Sequence, residues 1–224
     1  VGKLWKINTN PHLCDMWILR EILEKDCLLG IWKIEEEENF FIGSFPIDEE
    51  RLAKISNPAK RLEFLAARYV AAQLSEVPHE ALVLNKENRA PYFAHLDYSL
   101  SISHCKGYVA ALLHKKGKAV GLDIEMGSEK IARVAERFIE EKELPPHYQQ
   151  DTLLAQTLCW SIKEAVFKCF DIPGITFKSE LRIQSWQEET ASIAIQHSRL
   201  QQTATVHYRV VADTLGLVLA YTVQ

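Results

Sequence analysis

Two stretches of helical periodicity, each set among segments that alternate like strands, constrain this chain more than any other feature. The first opens at Asn57-Pro58, a capping residue followed by proline at the first helical position, and repeats Leu62, Leu65, Ala66, Tyr69 and Val70 at helical spacing. The second runs from about residue 152 to residue 170 and is stopped by Pro173-Gly174. Around the first lie a strand at 28–34, an acidic first turn at 35–38 leading into Phe40 and Phe41, and a polar turn at 85–89. A strand follows in which Leu100 and Ile102 face one way and Ser99, Ser101 and Ser103 the other, ending at His104. Residues 108–113 and 119–125 flank Lys115-Lys116-Gly117-Lys118 and read as a hairpin. Ser128 caps a helix with Ile131, Val134, Ala135, Phe138 and Ile139 inward, and strands at 181–186, 192–196, 205–211 and 216–223 form a closing meander. Strands with a helix thus occur on both sides of the midpoint. That order implies an α+β fold of two similar halves, residues 1–104 and 105–224, and not a doubly wound parallel sheet.

Composition narrows the class. With 47% hydrophobic and 25% charged residues in 224, the chain can build a real core. A net charge of −4 argues against a general nucleic-acid binder. Cys14, Cys27, Cys105, Cys159 and Cys169 are odd in number and never spaced Cys-x-x-Cys, so neither a zinc site nor a disulfide framework is expected, and a reducing cytoplasmic setting follows. The start Val1-Gly2-Lys3-Leu4-Trp5-Lys6 lacks a signal-peptide core, and no apolar run approaches the roughly 20 residues of a membrane span, so a soluble protein is expected.

Two segments can carry chemistry. In Gly121-Leu122-Asp123-Ile124-Glu125, Leu122 and Ile124 form an apolar face while Asp123 and Glu125 point together to the other. Same-face residues sit about 6.6 Å apart along a strand, where two carboxylates repel by about 2.5 kcal/mol at an effective dielectric near 20. Either solvent screens them at a strand end, or a hard cation compensates them. In the second segment, Trp160, Glu164 and Lys168 recur at helical spacing with Lys163 beside them, opposite Leu158, Ile162, Ala165 and Val166. A solvated Glu-to-Lys pair on an amphipathic helix accounts for the charges, but not for a tryptophan among them.

Gly-x-Asp-x-Glu followed by Trp-Ser-x-Lys-Glu-Ala-x-x-Lys resembles the signature of the Sfp-type 4′-phosphopantetheinyl transferases. Here the two are Gly121 to Glu125 and Trp160 to Lys168. Ser101-Ile102-Ser103-His104 is similar to that family's Ser-x-Ser-His strand end, and Lys60 through Arg68 to its arginine-bearing helix. The resemblance covers roughly residues 50–180. It implies a pseudo-dimer of two α+β halves with the active site in the cleft between them, and transfer of phosphopantetheine from coenzyme A to a carrier-protein serine with release of 3′,5′-ADP.

Carried over by position, the resemblance implies Asp123, Glu125 and Glu164 as Mg²⁺ ligands and Glu164, Lys168 and Asp123 as the catalytic group. His104 and Arg61 would approach the 3′-phosphate of coenzyme A, with Ser103, Arg68 and Lys163 as further contacts. The family has Gly-Lys-Pro where this chain has Arg89-Ala90-Pro91, so Arg89 is the candidate to replace the missing lysine. Arg133, Arg137 and Lys142 are candidates for docking an acidic acyl or peptidyl carrier protein. A monomer is expected, with no nucleic-acid or membrane partner. A metal-dependent nucleotide pyrophosphate hydrolase would use the same carboxylates, and a non-catalytic binding module for coenzyme A or a carrier protein would have no need to keep them intact. Which pathway is served, fatty-acid, polyketide or nonribosomal peptide, is not written in these residues.

Overall fold

A computed structural model describes residues 3–4, 17–24, 26–115, 117–148, 150–211 and 216–224. Cys14, most of the N-terminal stretch read for a leader, and Lys116 of the expected turn lie outside them. The chain divides into two compact units, Val1–Val120 and Gly121–Gln224.

In the first unit, β1 (Lys3–Leu4), β2 (Trp17–Glu24) and β3 (Cys27–Lys33) lead into the short helices α1 (Glu38–Phe41) and α2 (Glu49–Ala53) and the long helix α3 (Pro58–Leu74). A small pair, β4 (Val83–Asn85) and β5 (Pro91–Phe93), precedes β6 (Tyr98–Cys105) and β7 (Tyr108–Lys115). The main sheet runs β1-β2-β3-β7-β6. Asn57 caps α3 by accepting from the Lys60 N–H, and the helix lies over β3, β6 and β7. Its Leu65, Ala66, Val70 and Ala71 join Trp32, Val109, Ala111 and Leu113 in one core. Alanines along that face let the helix close on the sheet, while Tyr69 meets Trp32 edge-on with ring centroids 5.5 Å apart.

The second unit carries β8 (Val120–Met126), whose first residue ends the first unit, then α4 (Glu129–Val134), α5 (Thr152–Phe170), α6 (Phe177–Glu180), β9 (Leu181–Trp186), β10 (Thr190–His197), β11 (Leu200–Val210) and β12 (Leu217–Val223). Its sheet runs β8-β12-β11-β10-β9. The Asp151 side chain caps α5 at the Leu154 N–H, and Asp171, with φ of 47°, ends it in the left-handed region. Leu158, Ile162, Ala165 and Val166 pack with Ile193, Val206, Val218 and Ala220. Burying such side chains stabilises the unit by roughly 1.5–3 kcal/mol each, before conformational entropy is counted.

Two expectations are corrected here. The turn after β7 does not make a hairpin: β7 pairs with β3 and β6, whereas β8 lies beside β12 in the other sheet. Because β7 belongs to the first sheet, the division falls after Val120 and not after His104. Local alternation identified both strands but carries no information on their partners. In β6, Ser101 and Ser103 are both buried.

Candidate active site

Gly121 explains why β8 and α5 can form a site. A Cβ there would stand 1.8 Å from the Ala165 carbonyl oxygen and 2.7 Å from both the Cβ and the backbone N of Cys169. Only glycine lets the strand lie this close to the helix backbone. Asp123 and Glu125, two and four residues on, share the strand face that Gly121 turns toward α5. Glu164 and Lys168 flank Ala165 on the helix.

The resulting cluster is electrostatically tight. Lys168 Nζ donates to Asp123 Oδ1 at 2.8 Å and to the Leu122 carbonyl at 3.0 Å. Asp123 is buried, and Glu125 Oε1 accepts from the Met126 N–H at 3.0 Å. Burial pushes the Glu164 carboxyl up to about 7; Lys168 opposes that rise, and the charges of Asp123 and Glu125 add to it. Glu164 therefore lies within the field of both other carboxylates. Among the described residues no three acidic, histidine or cysteine groups are already gathered at metal-ligand spacing. The donor set is nonetheless all carboxylate oxygen, the chemistry that suits a hard cation such as Mg²⁺.

Lys163 and Trp160 need correction. Lys163 is fully buried, and its ammonium donates to the Phe138 carbonyl (2.6 Å), Glu143 Oε1 (2.8 Å) and the Phe177 carbonyl (3.2 Å), which leaves nothing to offer a ligand. Glu143, itself buried, also accepts from the Ile183 N–H at 2.8 Å. The pair is a keystone tying α5 to the strands. Trp160 does not face a ligand among charges; its ring packs on Phe138 and Phe177.

The remaining candidates belong to the first unit, where a cavity of about 640 Å³ is lined by Arg51, Lys54, Lys60, Arg68, Arg89 and His104, among others. Among the described residues Glu63 is the one acid on that lining, and its Oε2 lies 3.5 Å from His104 Nδ1. So dense a basic lining suits an anion carrying several charges. Of the expected coenzyme A contacts, Arg68, Arg89 and His104 are among the lining residues. Arg61 is not: its Nε donates to Glu38 Oε1 at 2.6 Å and its Nη1 to the Leu52 carbonyl at 2.8 Å, which fixes it as a brace between α1, the end of α2 and α3. Ser103 is buried in β6 and does not line the cavity. Arg51, Lys54 and Lys60 were missed, although the i, i+3 spacing of the first two in an acid-started helix was a visible signal.

Residues 48–114 match the model of the 4′-phosphopantetheinyl transferase N-terminal domain, and residues 119–222 that of the 4′-phosphopantetheinyl transferase superfamily. The chain belongs to the 4′-phosphopantetheinyl transferase superfamily. A protein of Haemophilus influenzae named "Putative 4′-phosphopantetheinyl transferase" is 34% identical over 87 residues, which is 37% of each chain. The 4′-phosphopantetheinyl transferase gsp of Aneurinibacillus migulanus is 29% identical over 109 residues, 47% of this chain and 45% of that one. The aligned stretches thus span less than half the length of either relative. The fold agrees with the family: mixed α+β, in two units whose division at 120/121 falls close to the junction between the two matched stretches.

Proposed function

We propose that the protein transfers the 4′-phosphopantetheine group of coenzyme A to a serine of an acyl or peptidyl carrier protein and releases 3′,5′-ADP. The observation that carries this reading is the close approach of β8 to α5 at Gly121, which sets Asp123, Glu125 and Glu164 in one field beside Lys168. The basic cavity of the first unit supports it as a seat for the nucleotide phosphates.

In this reading Asp123, Glu125 and Glu164 would hold Mg²⁺, which would supply Lewis-acid neutralisation of the pyrophosphate. The carrier serine Oγ attacks the β-phosphorus, the bond from that phosphorus to the bridging oxygen breaks, and its electrons leave with 3′,5′-ADP. Glu164 would accept the serine proton and pass it to solvent; its rise to about 7 belongs to the metal-free protein. Lys168 holds Asp123 in place and offsets negative charge as it develops. Arg133, Arg137 and Lys142 are exposed and would steer an acidic carrier, although Lys142 also pairs with Glu140 at 2.7 Å. A monomer in the cytoplasm completes the proposal; none of the described cysteines is in a disulfide, and no described helix is long and apolar enough to cross a membrane.

The test is to mix the protein with apo carrier protein, coenzyme A and Mg²⁺ and to weigh the carrier. One added phosphopantetheinyl group is expected, and Glu164→Gln should abolish it with the fold intact. Release of 3′,5′-ADP without carrier, leaving the carrier mass unchanged, would replace the transferase reading with a hydrolase.

A further inference from the structure

The turn between β4 and β5 holds a backbone that its residue does not favour. Arg89 adopts φ of 72°, in the left-handed region where a side chain costs energy and glycine does not. Asn85 is wired to it. The Asn85 Nδ2 donates to the Arg89 carbonyl at 2.6 Å, and the Asn85 Oδ1 accepts from Arg68 Nη2, also at 2.6 Å. Arg68 is in turn held by stacking over the Phe64 ring, 3.4 Å from its centroid, and by donating to the Phe64 carbonyl at 3.1 Å. Arg68 is more than nine-tenths buried, and its Nε has no hydrogen-bond partner although the residue lines the cavity. Arg89, Asn85 and Arg68 all line that same basic cavity.

A left-handed arginine in a turn with no such demand would be replaced at no loss by glycine. Local backbone strain that a surrounding network enforces is a feature of ligand sites. We propose that Asn85 is a positioning residue: by bridging buried Arg68 to the backbone of Arg89, it holds the Arg89 guanidinium over the cavity to bind a phosphate of the nucleotide. The proposal deepens the transferase reading and rests on it. Asn85 touches no ligand in this scheme; it acts through Arg89.

The test uses the whole chain with 3′,5′-ADP as the binding probe and coenzyme A as the substrate. Arg89→Gly keeps the left-handed turn and removes the charge; it should weaken 3′,5′-ADP binding and raise the KM for coenzyme A about ten-fold, with kcat nearly unchanged. Its melting temperature should not fall, because glycine relieves the strained φ. Asn85→Asp keeps an acceptor for Arg68 but loses the donor to Arg89, and should raise the same KM. In an Arg89→Gly background, Asn85→Asp should add nothing further, the signature of two residues acting as one. Arg89→Lys should recover part of the affinity. Additive effects of the pair, or Arg89→Gly binding 3′,5′-ADP as tightly as the wild type, would overturn the positioning role while leaving the transferase intact. A wild-type protein that binds neither 3′,5′-ADP nor coenzyme A would overturn both.

Discussion

Replacing Gly121 by alanine should damage stability and chemistry through one displacement. The new Cβ would lie 1.8 Å from the Ala165 carbonyl oxygen, where real contacts do not fall below 3.0 Å, so β8 and α5 must part by about 1.2 Å. All three obstacles, the Ala165 carbonyl oxygen and the Cβ and backbone N of Cys169, are backbone or close to it, which leaves no flexible side-chain tip to yield. Overpacking of this kind costs about 1–3 kcal/mol, and at this size each kcal/mol lowers Tm by about 2–4 °C. The same shift would stretch the 2.8 Å contact between Lys168 and Asp123 past hydrogen-bonding distance. A misplacement near 1 Å in a catalytic constellation costs on the order of a hundred-fold in rate. Calorimetry and the carrier-mass assay, run well below the variant's Tm, separate the two effects. Gly127→Ala is the control: its Cβ would meet only side-chain atoms, Leu153 Cγ at 3.0 Å and Cδ2 at 3.1 Å, which can shift by a few tenths of an ångström, so both losses should be much smaller. If Gly121→Ala melts and turns over like the wild type, the strand and helix do not approach as described and the site built on them falls.

Further outcomes follow from the same geometry. In metal-free protein the Glu164 carboxyl, raised from 4.5 to about 7, holds its proton more firmly when folded than when unfolded. Its contribution therefore favours the folded state fully below pH 4.5 and is lost as pH rises through 7, at most about 3 kcal/mol. Melting in chelator across that range should show the decline; Glu164→Gln should flatten it and Mg²⁺ should reverse it, whereas identical curves with and without Mg²⁺ would speak against a shared ion. Lys163→Ala should cost about 3–5 kcal/mol by stranding the buried Glu143, and Lys163→Met paired with Glu143→Leu should recover much of that by denaturant titration. If Arg133, Arg137 and Lys142 steer the carrier, its KM should rise with salt while that of a small substrate analogue changes less; equal salt slopes would discard the steering.

The boundaries of the two long helices were readable because caps and periodicity are local, whereas the helix after Ser128, expected to reach Ile139, ends at Val134. The long helix was expected at about 152–170 and is found at Thr152–Phe170, and Asn57-Pro58 does open α3. The acidic pair and its helical partners were readable for the same reason, as residue types at fixed spacing. Sheet partners were not, because the segments at 108–113 and 119–125 look like neighbours in sequence and yet join different sheets. Helical phase also misleads at Lys163: its spacing sets the charge beside the polar arc, while the acid that neutralises it, Glu143, lies twenty positions away. Arg61 failed similarly, since nothing local announces Glu38 as its partner. Basic residues of the cavity come from α2, α3, the β4–β5 turn and the end of β6, a convergence that only tertiary structure creates.

The Lys168 ammonium, lodged against Asp123 and the Leu122 carbonyl, gives the acidic trio a resident counter-ion from its own chain. A newly made polypeptide can thus complete its second unit before any divalent ion arrives, unlike small zinc domains that stay unfolded until loaded. If Mg²⁺ binds there as proposed, it joins that amine in a unit already folded, so chelators should silence such a protein reversibly without unravelling it.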